Sequence, residues 1–403
     1  MEEPDEPMVM KPSSRSRPPR WIILDRFIHR SSHADARGDS TASAPSSTCT
    51  GRPIRASLRV AAAAAFPAVS RLHLHWSARL EFSGCLPEPR LIAAHDHAIL
   101  FMAIVPLEGC SDTHVFPIDL FVYSAFSSPP ALHRLPACFA GGVSTPDEDF
   151  YFKPYSRRQQ RPMLDEEMGI LCHGGDGEFT VADFTNFGRD DGELCLLRHR
   201  HYSAGSQRKI GAEWMVRSVR FPQGPSDHYW ITDAVVPVDG RFLCWVDNYQ
   251  GNLVVDVLLA GDESSPGPVE PRYIPLPDEA LGSDRLDPDG DCPDKARCVC
   301  ATAGGMIKLV CIEDSSPSRR RSADFTLSLP RVKPEYPLVS LVDPDATCFL
   351  LKAGHGVYWM IEVDMRNKLR CSKEEEWCSA KRVCRNCFDG HSFIPSEIST
   401  YLS

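Results

Sequence analysis

No stretch of this chain reaches the roughly 18 consecutive apolar residues that a membrane-spanning helix needs, so no span is expected. The opening residues, MEEPDEPMVMKP, place acid where a secretory signal carries base followed by an apolar run. The expectation is an intracellular protein, cytoplasmic or nuclear, neither secreted nor membrane-bound. An excess of positive charge is missing as well: 44 Lys and Arg stand against 54 Asp and Glu, for a net charge of −10. No global field would draw in a phosphate backbone, and nucleic acid is not an expected partner. Heptads, long amphipathic helices and βαβ alternation are absent, which argues against coiled-coil and α/β folds. Recognisable catalytic signatures are lacking too. There is no G-x-S-x-G elbow, no G-x-x-x-x-G-K-[ST] loop, no G-x-G-x-x-G after a strand and no H-E-x-x-H.

What the chain does have is short β-rich runs closed by turn residues. The densest stretch, residues 229–277, reads as four strands: Trp230 to Val238, Phe242 to Val246, Leu253 to Leu259 and Arg272 to Leu276. Val238-Asp239-Gly240-Arg241 suits a tight hairpin, because Asp and Gly tolerate the positive φ of a primed turn. The form of this unit, an apolar strand, a loop, then a short strand ending in proline, recurs along the chain. Its closing prolines are Pro136, Pro222, Pro277 and Pro330, at intervals of 86, 55 and 53 residues. A period near 50 with strands throughout predicts an all-β, β-propeller-like array of antiparallel four-stranded sheets. The same strands also fit a two-sheet β-sandwich with long loops. A polar insertion, residues 141–168, accounts for the longest interval. Residues 1–20, with five prolines and a Lys/Arg/Ser run, read as a disordered leader. Residues 21–51 read as a first strand and a flexible Ser/Ala-rich loop. Residues 52–402 are expected to form a single all-β domain.

Three blocks within the dense stretch are Leu243-Cys244-Trp245-Val246-Asp247, Gly251-Asn252-Leu253-Val254-Val255-Asp256-Val257-Leu258 and Arg272-Tyr273-Ile274-Pro275-Leu276-Pro277. They resemble the core of a plant family, expanded in grasses, called domain of unknown function 1618. The family pattern is LCWVD-x-x-x-G-x-L-x-x-DVL followed by RY-x-x-LP. The resemblance extends to Trp21-Ile22-Ile23-Leu24-Asp25-Arg26, to Tyr336 through Asp345 and to the closing residues near Phe393. At the level of fold it also implies a likeness to the substrate-recruiting regions that follow F-box segments in plant ubiquitin ligases. Residues 1–55 are polar and Pro/Ser-rich, unlike a leucine-rich F-box.

Candidate sites are few. His73/His75 and His95/His97 are His-x-His pairs, which on a strand share a face and could hold a metal. Neither pair has a convincing carboxylate or cysteine completion nearby, and a structural role is the stronger reading. Asp176, Asp183, Asp190, Asp191, Asp343 and Asp345 offer carboxylates for acid/base work, but beside Gly and Pro they read first as turn formers. Without a secretory signal, the 16 cysteines read as reduced thiols. In the Cys-rich loop 371–391, Cys371, Cys378, Cys384, Cys387 and His391 supply soft ligands for zinc. The spacings C-x6-C and C-x5-C match no standard finger, so scattered thiols are the first reading and a zinc knot the second. No catalytic residue or cofactor-binding residue is assigned. The sequence points more to a non-catalytic protein-interaction module with a protein partner than to the alternative, a hydrolase or lyase with its site in a propeller channel. Convergent His, Asp or Glu side chains in the channel mouth would mark the enzyme.

Overall fold

A computed structural model describes residues 19–31, 38–60, 69–76, 87–110, 112–139, 160–187, 191–200, 213–221, 230–262, 264, 267–280, 295–302, 305–312, 333–352, 358–366 and 393–402. The Cys371 to His391 cluster, residues 1–18 of the leader, residues 141–159 of the insertion and the closing Pro222 and Pro330 lie outside the described residues.

The chain opens with β1 (Ile22–Asp25), β2 (His29–Ser31), β3 (Ser46–Ser47), β4 (Pro53–Arg59) and β5 (Val69–Trp76). β1 and β2 run parallel to β5, which pairs antiparallel with β4. Up-and-down meanders follow. The first blade is β6 (Arg90–His95), β7 (Ala98–Ile104), β8 (Ile118–Ser124) and β9 (Ala131–Arg134). The second is β10 (Met168–His173), β11 (Glu178–Asn186), β12 (Asp191–His199) and β13 (Trp214–Arg220). The third, holding the dense stretch, is β14 (Ala234–Val238), β15 (Phe242–Asp247), β16 (Gly251–Asp256) and β17 (Arg272–Pro275). The fourth contains β18 (Arg297–Ala301) and β19 (Ile307–Cys311), and the fifth β20 (Pro334–Val339), β21 (Ala346–Lys352) and β22 (Tyr358–Asp364). Finally β23 (Phe393–Ser396) pairs antiparallel with β1, from Ile22↔Ser396 to Asp25↔Phe393.

The first strands of successive sheets touch in turn: β6 on β10, β10 on β14, β14 on β18, β18 on β20, with β23 between β20 and β6. The protein is therefore all-β, a propeller of five antiparallel blades, with the mixed sheet closing the ring between the fifth and the first. The sandwich alternative is set aside. Because the closing sheet takes β1 and β23 from opposite ends of the sequence, the ring cannot open without breaking strand pairing.

Burial of both faces of each blade holds the ring together. On β11, Phe179 and Val181 pack toward the first blade, while Ala182 and Phe184 pack toward the third. On β15, Leu243 and Trp245 face the second blade, and Cys244 and Val246 face the fourth. Alternation in a strand is thus apolar on both sides, as sheets covered on both faces require.

Turn chemistry agrees with the sequence at the β14–β15 hairpin, where Asp239 and Gly240 take φ of 52° and 58°. Pro136 and Pro277 each follow the outermost strand of a blade. Three stretches differ from expectation. The strand read as Trp230 to Val238 begins at Ala234. The strand read as Leu253 to Leu259 stops at Asp256, whose Oδ1 accepts the Leu259 N–H at 2.9 Å and caps a single helical turn, α1 (Val257–Ala260). Residues 38–50, which composition reads as a flexible loop, are tied to the body. Thr41 Oγ1 accepts the Leu58 N–H at 3.0 Å, and the Thr41 carbonyl accepts the Tyr123 hydroxyl at 2.7 Å. Short polar side chains there bond neighbouring backbone, a use that composition alone does not separate from solvated loop.

Where β10 passes β14 the approach is close. A Cβ on Gly169 would lie 2.5 Å from Val235 Cγ1, on a stiff β-branched side chain. Gly169→Ala is expected to force these inner strands apart at a cost of about 1–3 kcal/mol, read as a lower urea midpoint with an unchanged slope.

Candidate functional site, the central channel

The six innermost strands, β6, β10, β14, β18, β20 and β23, are each the end strand of their sheet, and the start of β6 is bridged on its inner edge by Phe27. Together they surround a cavity of about 450 Å³. Its waist is apolar, walled by Ile92, Ala93, Val235, Val299 and Leu338, and its polar groups gather at the two mouths.

At the mouth where the inner strands begin lie Arg26, Asp165, Glu166, Asn248 and Arg297. Most are engaged in holding neighbouring elements together. Arg297 donates to the Asn248 carbonyl at 2.5 Å and to the Ala280 carbonyl at 3.0 Å, and its guanidinium lies 5.0 Å from the centre of the Tyr249 ring. It clamps the third blade to the fourth. Asp165 takes an ion pair from Arg90 at 2.8 Å, joining the second blade to the first. Burial, with the Asp165 charge beside it, raises the pKa of Glu166.

At the opposite mouth, where the inner strands end, the cavity is lined by His95, Asp96, Asp239, Thr302 and Glu397. Its carboxylates come from three separate elements: the β6–β7 turn, the β14–β15 turn and the residue after β23. Burial holds His95 below the usual imidazole range against the opposing pull of Asp96. Its Nδ1 accepts the Cys172 N–H at 2.9 Å, which leaves the proton of the neutral ring on Nε2. Burial and the Asp96 carboxylate raise Glu397.

The His-x-His pairs resolve as structural groups. His75 spends both ring nitrogens on hydroxyls, Nδ1 on Ser31 at 2.7 Å and Nε2 on Ser57 at 2.8 Å. His73 is pushed down to about 4 by burial and surrounding cations. His95 is taken by Cys172, and His97 Nδ1 lies 3.0 Å from Ser124 Oγ. Among the described residues no group of three or more His, Cys, Asp or Glu side chains is arranged to hold a metal. Cys49, Cys110, Cys138, Cys172, Cys195, Cys244, Cys300 and Cys348 are free thiols.

The most shifted carboxyls are not in the channel. Asp183, read from sequence as a turn former, lies mid-strand in β11 and is fully buried. Burial, then the Glu167 charge, raises it to about 7. Glu167 is raised to about 7 by burial and by Glu166. Arg161 answers them, at 3.7 Å from Asp183 and 2.6 Å from Glu193, with Thr185 Oγ1 at 3.2 Å. Arg161 and Gln160 belong to the SRRQQRP segment that reads as polar insertion, yet both are packed. Gln160 makes paired bonds of 2.9 Å to the backbone of Ile118. Sequence reasoning assigned no role to Arg161, Glu167 or Arg297, because nothing in a run of polar residues says which of them a neighbouring blade will cover.

Fold and channel together define a β-propeller protein. Within it, residues 245–335, from the middle of β15 to the start of β20, match the family model described as Protein of unknown function (DUF1618). That segment includes part of the family core read from the sequence. No curated protein matches the chain. No helix among the described residues is long and apolar enough to cross a membrane.

Proposed function

We propose that this chain is a non-catalytic protein-recognition module, of the plant family it resembles, which binds its partner on the propeller face where the inner strands end. The observation that carries this reading is the placement of exposed apolar side chains. Phe126, Leu259, Met306, Val342 and Met365 are all exposed, and strand direction puts each at that end of the first, third, fourth or fifth blade. A scattering of single exposed apolar residues is ordinary, and Leu164, Phe187 and Ile231 are exposed on the opposite face; the larger share, on the loops of four blades at one face, is the form of a docking surface. The acidic mouth of Asp96, Asp239 and Glu397 lies at its centre and suits a partner with a basic group there.

The second reading, a hydrolase or lyase using the channel, rests on the convergence of His95, Asp96 and Glu397 at the same mouth. Against it, His95 Nδ1 is committed to the Cys172 N–H, and the most perturbed carboxyls, the fully buried Asp183 and the half-buried Glu167, do not line the channel. Affinity capture from a plant extract with wild type and with the Met306→Asp/Met365→Asp pair distinguishes the two. The module reading expects a partner retained by wild type and lost by the pair at unchanged melting temperature. Retention by both, or hydrolytic or lyase turnover that Asp96→Asn abolishes, would move the function into the channel.

A further inference from the structure

Cys138 and Cys195 bring their sulfur atoms to 3.6 Å from different blades. Cys195 sits in β12, opposite Asp183 of β11 and Val216 of β13, and is fully buried. Cys138 lies beyond β9 on a short strap where the chain leaves the first blade, and it is 6% exposed. The strap is held by other contacts than the sulfurs. The Pro136 carbonyl accepts the Trp214 indole N–H at 2.8 Å, the Cys138 carbonyl accepts the Arg161 N–H at 2.8 Å, and Phe139 bridges Gln160. Backbone anchors on both sides thus keep the Cys138 sulfur against β12, and the two thiols are in van der Waals contact by construction.

We propose that Cys138 and Cys195 form a modification site at which a small diffusible peroxide closes a disulfide, stapling the exit strap of the first blade to the second. Reaching a bond length of about 2.05 Å requires the sulfurs to close by roughly 1.5 Å from their present contact. Burial selects the oxidant, since a bulky disulfide such as oxidised glutathione cannot reach sulfurs this enclosed whereas hydrogen peroxide can. Contact with the Cys138 thiol, burial and the Asp183 carboxylate hold the Cys195 thiol above the usual range, so Cys138, the more exposed, reacts first. Its sulfur attacks one peroxide oxygen, the O–O bond breaks, and a sulfenic acid and one water result. The Cys195 sulfur then attacks the sulfenic sulfur, the S–O bond breaks, and the departing hydroxide takes the Cys195 proton to leave as a second water. Two thiols are oxidised by two electrons in all, and one peroxide is reduced to two waters. The bridge spans 57 residues of chain and fixes the point from which the segment between 139 and 160 departs.

The test treats the full chain with hydrogen peroxide until the exposed Cys311 thiol, an internal dosimeter, is consumed. The protein is then unfolded in N-ethylmaleimide, digested without reductant and mapped by mass spectrometry. The expected result is a peptide pair joined through Cys138 and Cys195, released by dithiothreitol and absent from Cys138→Ser and from Cys195→Ser. The melting temperature of the oxidised wild type should rise by on the order of 5 °C and fall back on reduction. Recovery of both cysteines as maleimide adducts after Cys311 is spent would overturn the proposal, as would Cys138 joined to any other thiol.

Discussion

Trp245→Ala is expected to destabilise the propeller by about 3–5 kcal/mol, a large part of the roughly 5–15 kcal/mol that holds an ordinary domain folded. Trp245 lies in β15, an interior strand of the third blade, and is fully buried. Its ring meets Phe184 of the second blade edge-on at 5.7 Å, and its Nε1–H donates to the Glu167 carbonyl at 2.8 Å. The indole therefore joins two blades by packing and by a buried hydrogen bond. Trp245→Phe separates the two contributions: it keeps most of the packing, leaves the Glu167 carbonyl with the Phe184 N–H at 3.3 Å as its remaining donor, and should cost about 0.5–1.5 kcal/mol. Urea denaturation of the three proteins checks both figures. A Trp245→Ala variant that melted like wild type yet lost a captured partner would make Trp245 a recognition residue instead.

That strand shows how far the fold was legible. Phe242-Leu243-Cys244-Trp245-Val246 is apolar on both alternating faces, and such a strand can only sit between covered sheets. The Asp239-Gly240 hairpin was readable for an equally local reason, since few residues accept those φ values. The pairing of β1 with β23 was not readable, because nothing local in Ile22-Ile23-Leu24-Asp25 records that its partner is Phe393-Ile394-Pro395-Ser396 at the other end of the chain. The lining of the channel was inaccessible to sequence reading for the same reason. Its walls come from six separate strands, and its acidic mouth from Asp96, Asp239 and Glu397, residues that become neighbours only when the ring closes. Asp183 was misread because a carboxylate usually faces water, although its neighbours Ala182 and Phe184 are apolar and not turn residues. Its cover, the Arg161 guanidinium, comes from a segment whose composition suggests solvent.

Arg161→Met is expected to cost about 3–5 kcal/mol at pH 8, the usual penalty for removing one partner of a buried ion pair, and much less at pH 5. Asp183 and the Arg161 side chain are both buried, and without the guanidinium the Asp183 carboxylate would have no opposing charge among its described contacts. The sign of the pH dependence follows from the raised carboxyl. Its pKa is about 7 in the folded protein against an ordinary 3.8, so between these values the folded chain holds a proton that the unfolded chain has released. Stability contributed by this group therefore falls as pH rises from about 4 to about 7 and is level above. Glu167, also raised to about 7, adds to the same slope. Because Arg161 pulls the Asp183 pKa down, its removal raises that pKa further and steepens the loss toward alkaline pH. Protonation at pH 5 removes the uncompensated charge, leaving the cost of the lost contacts to Glu193 and Thr185. Asp183→Asn should flatten the wild-type profile by removing one of the raised carboxyls that titrate in this window. Urea midpoints at pH 5 and pH 8 for wild type, Arg161→Met and Asp183→Asn read all three slopes. An Arg161→Met penalty equal at both pH values would mean that Asp183 does not titrate in this window and that Arg161 acts on the fold through packing alone.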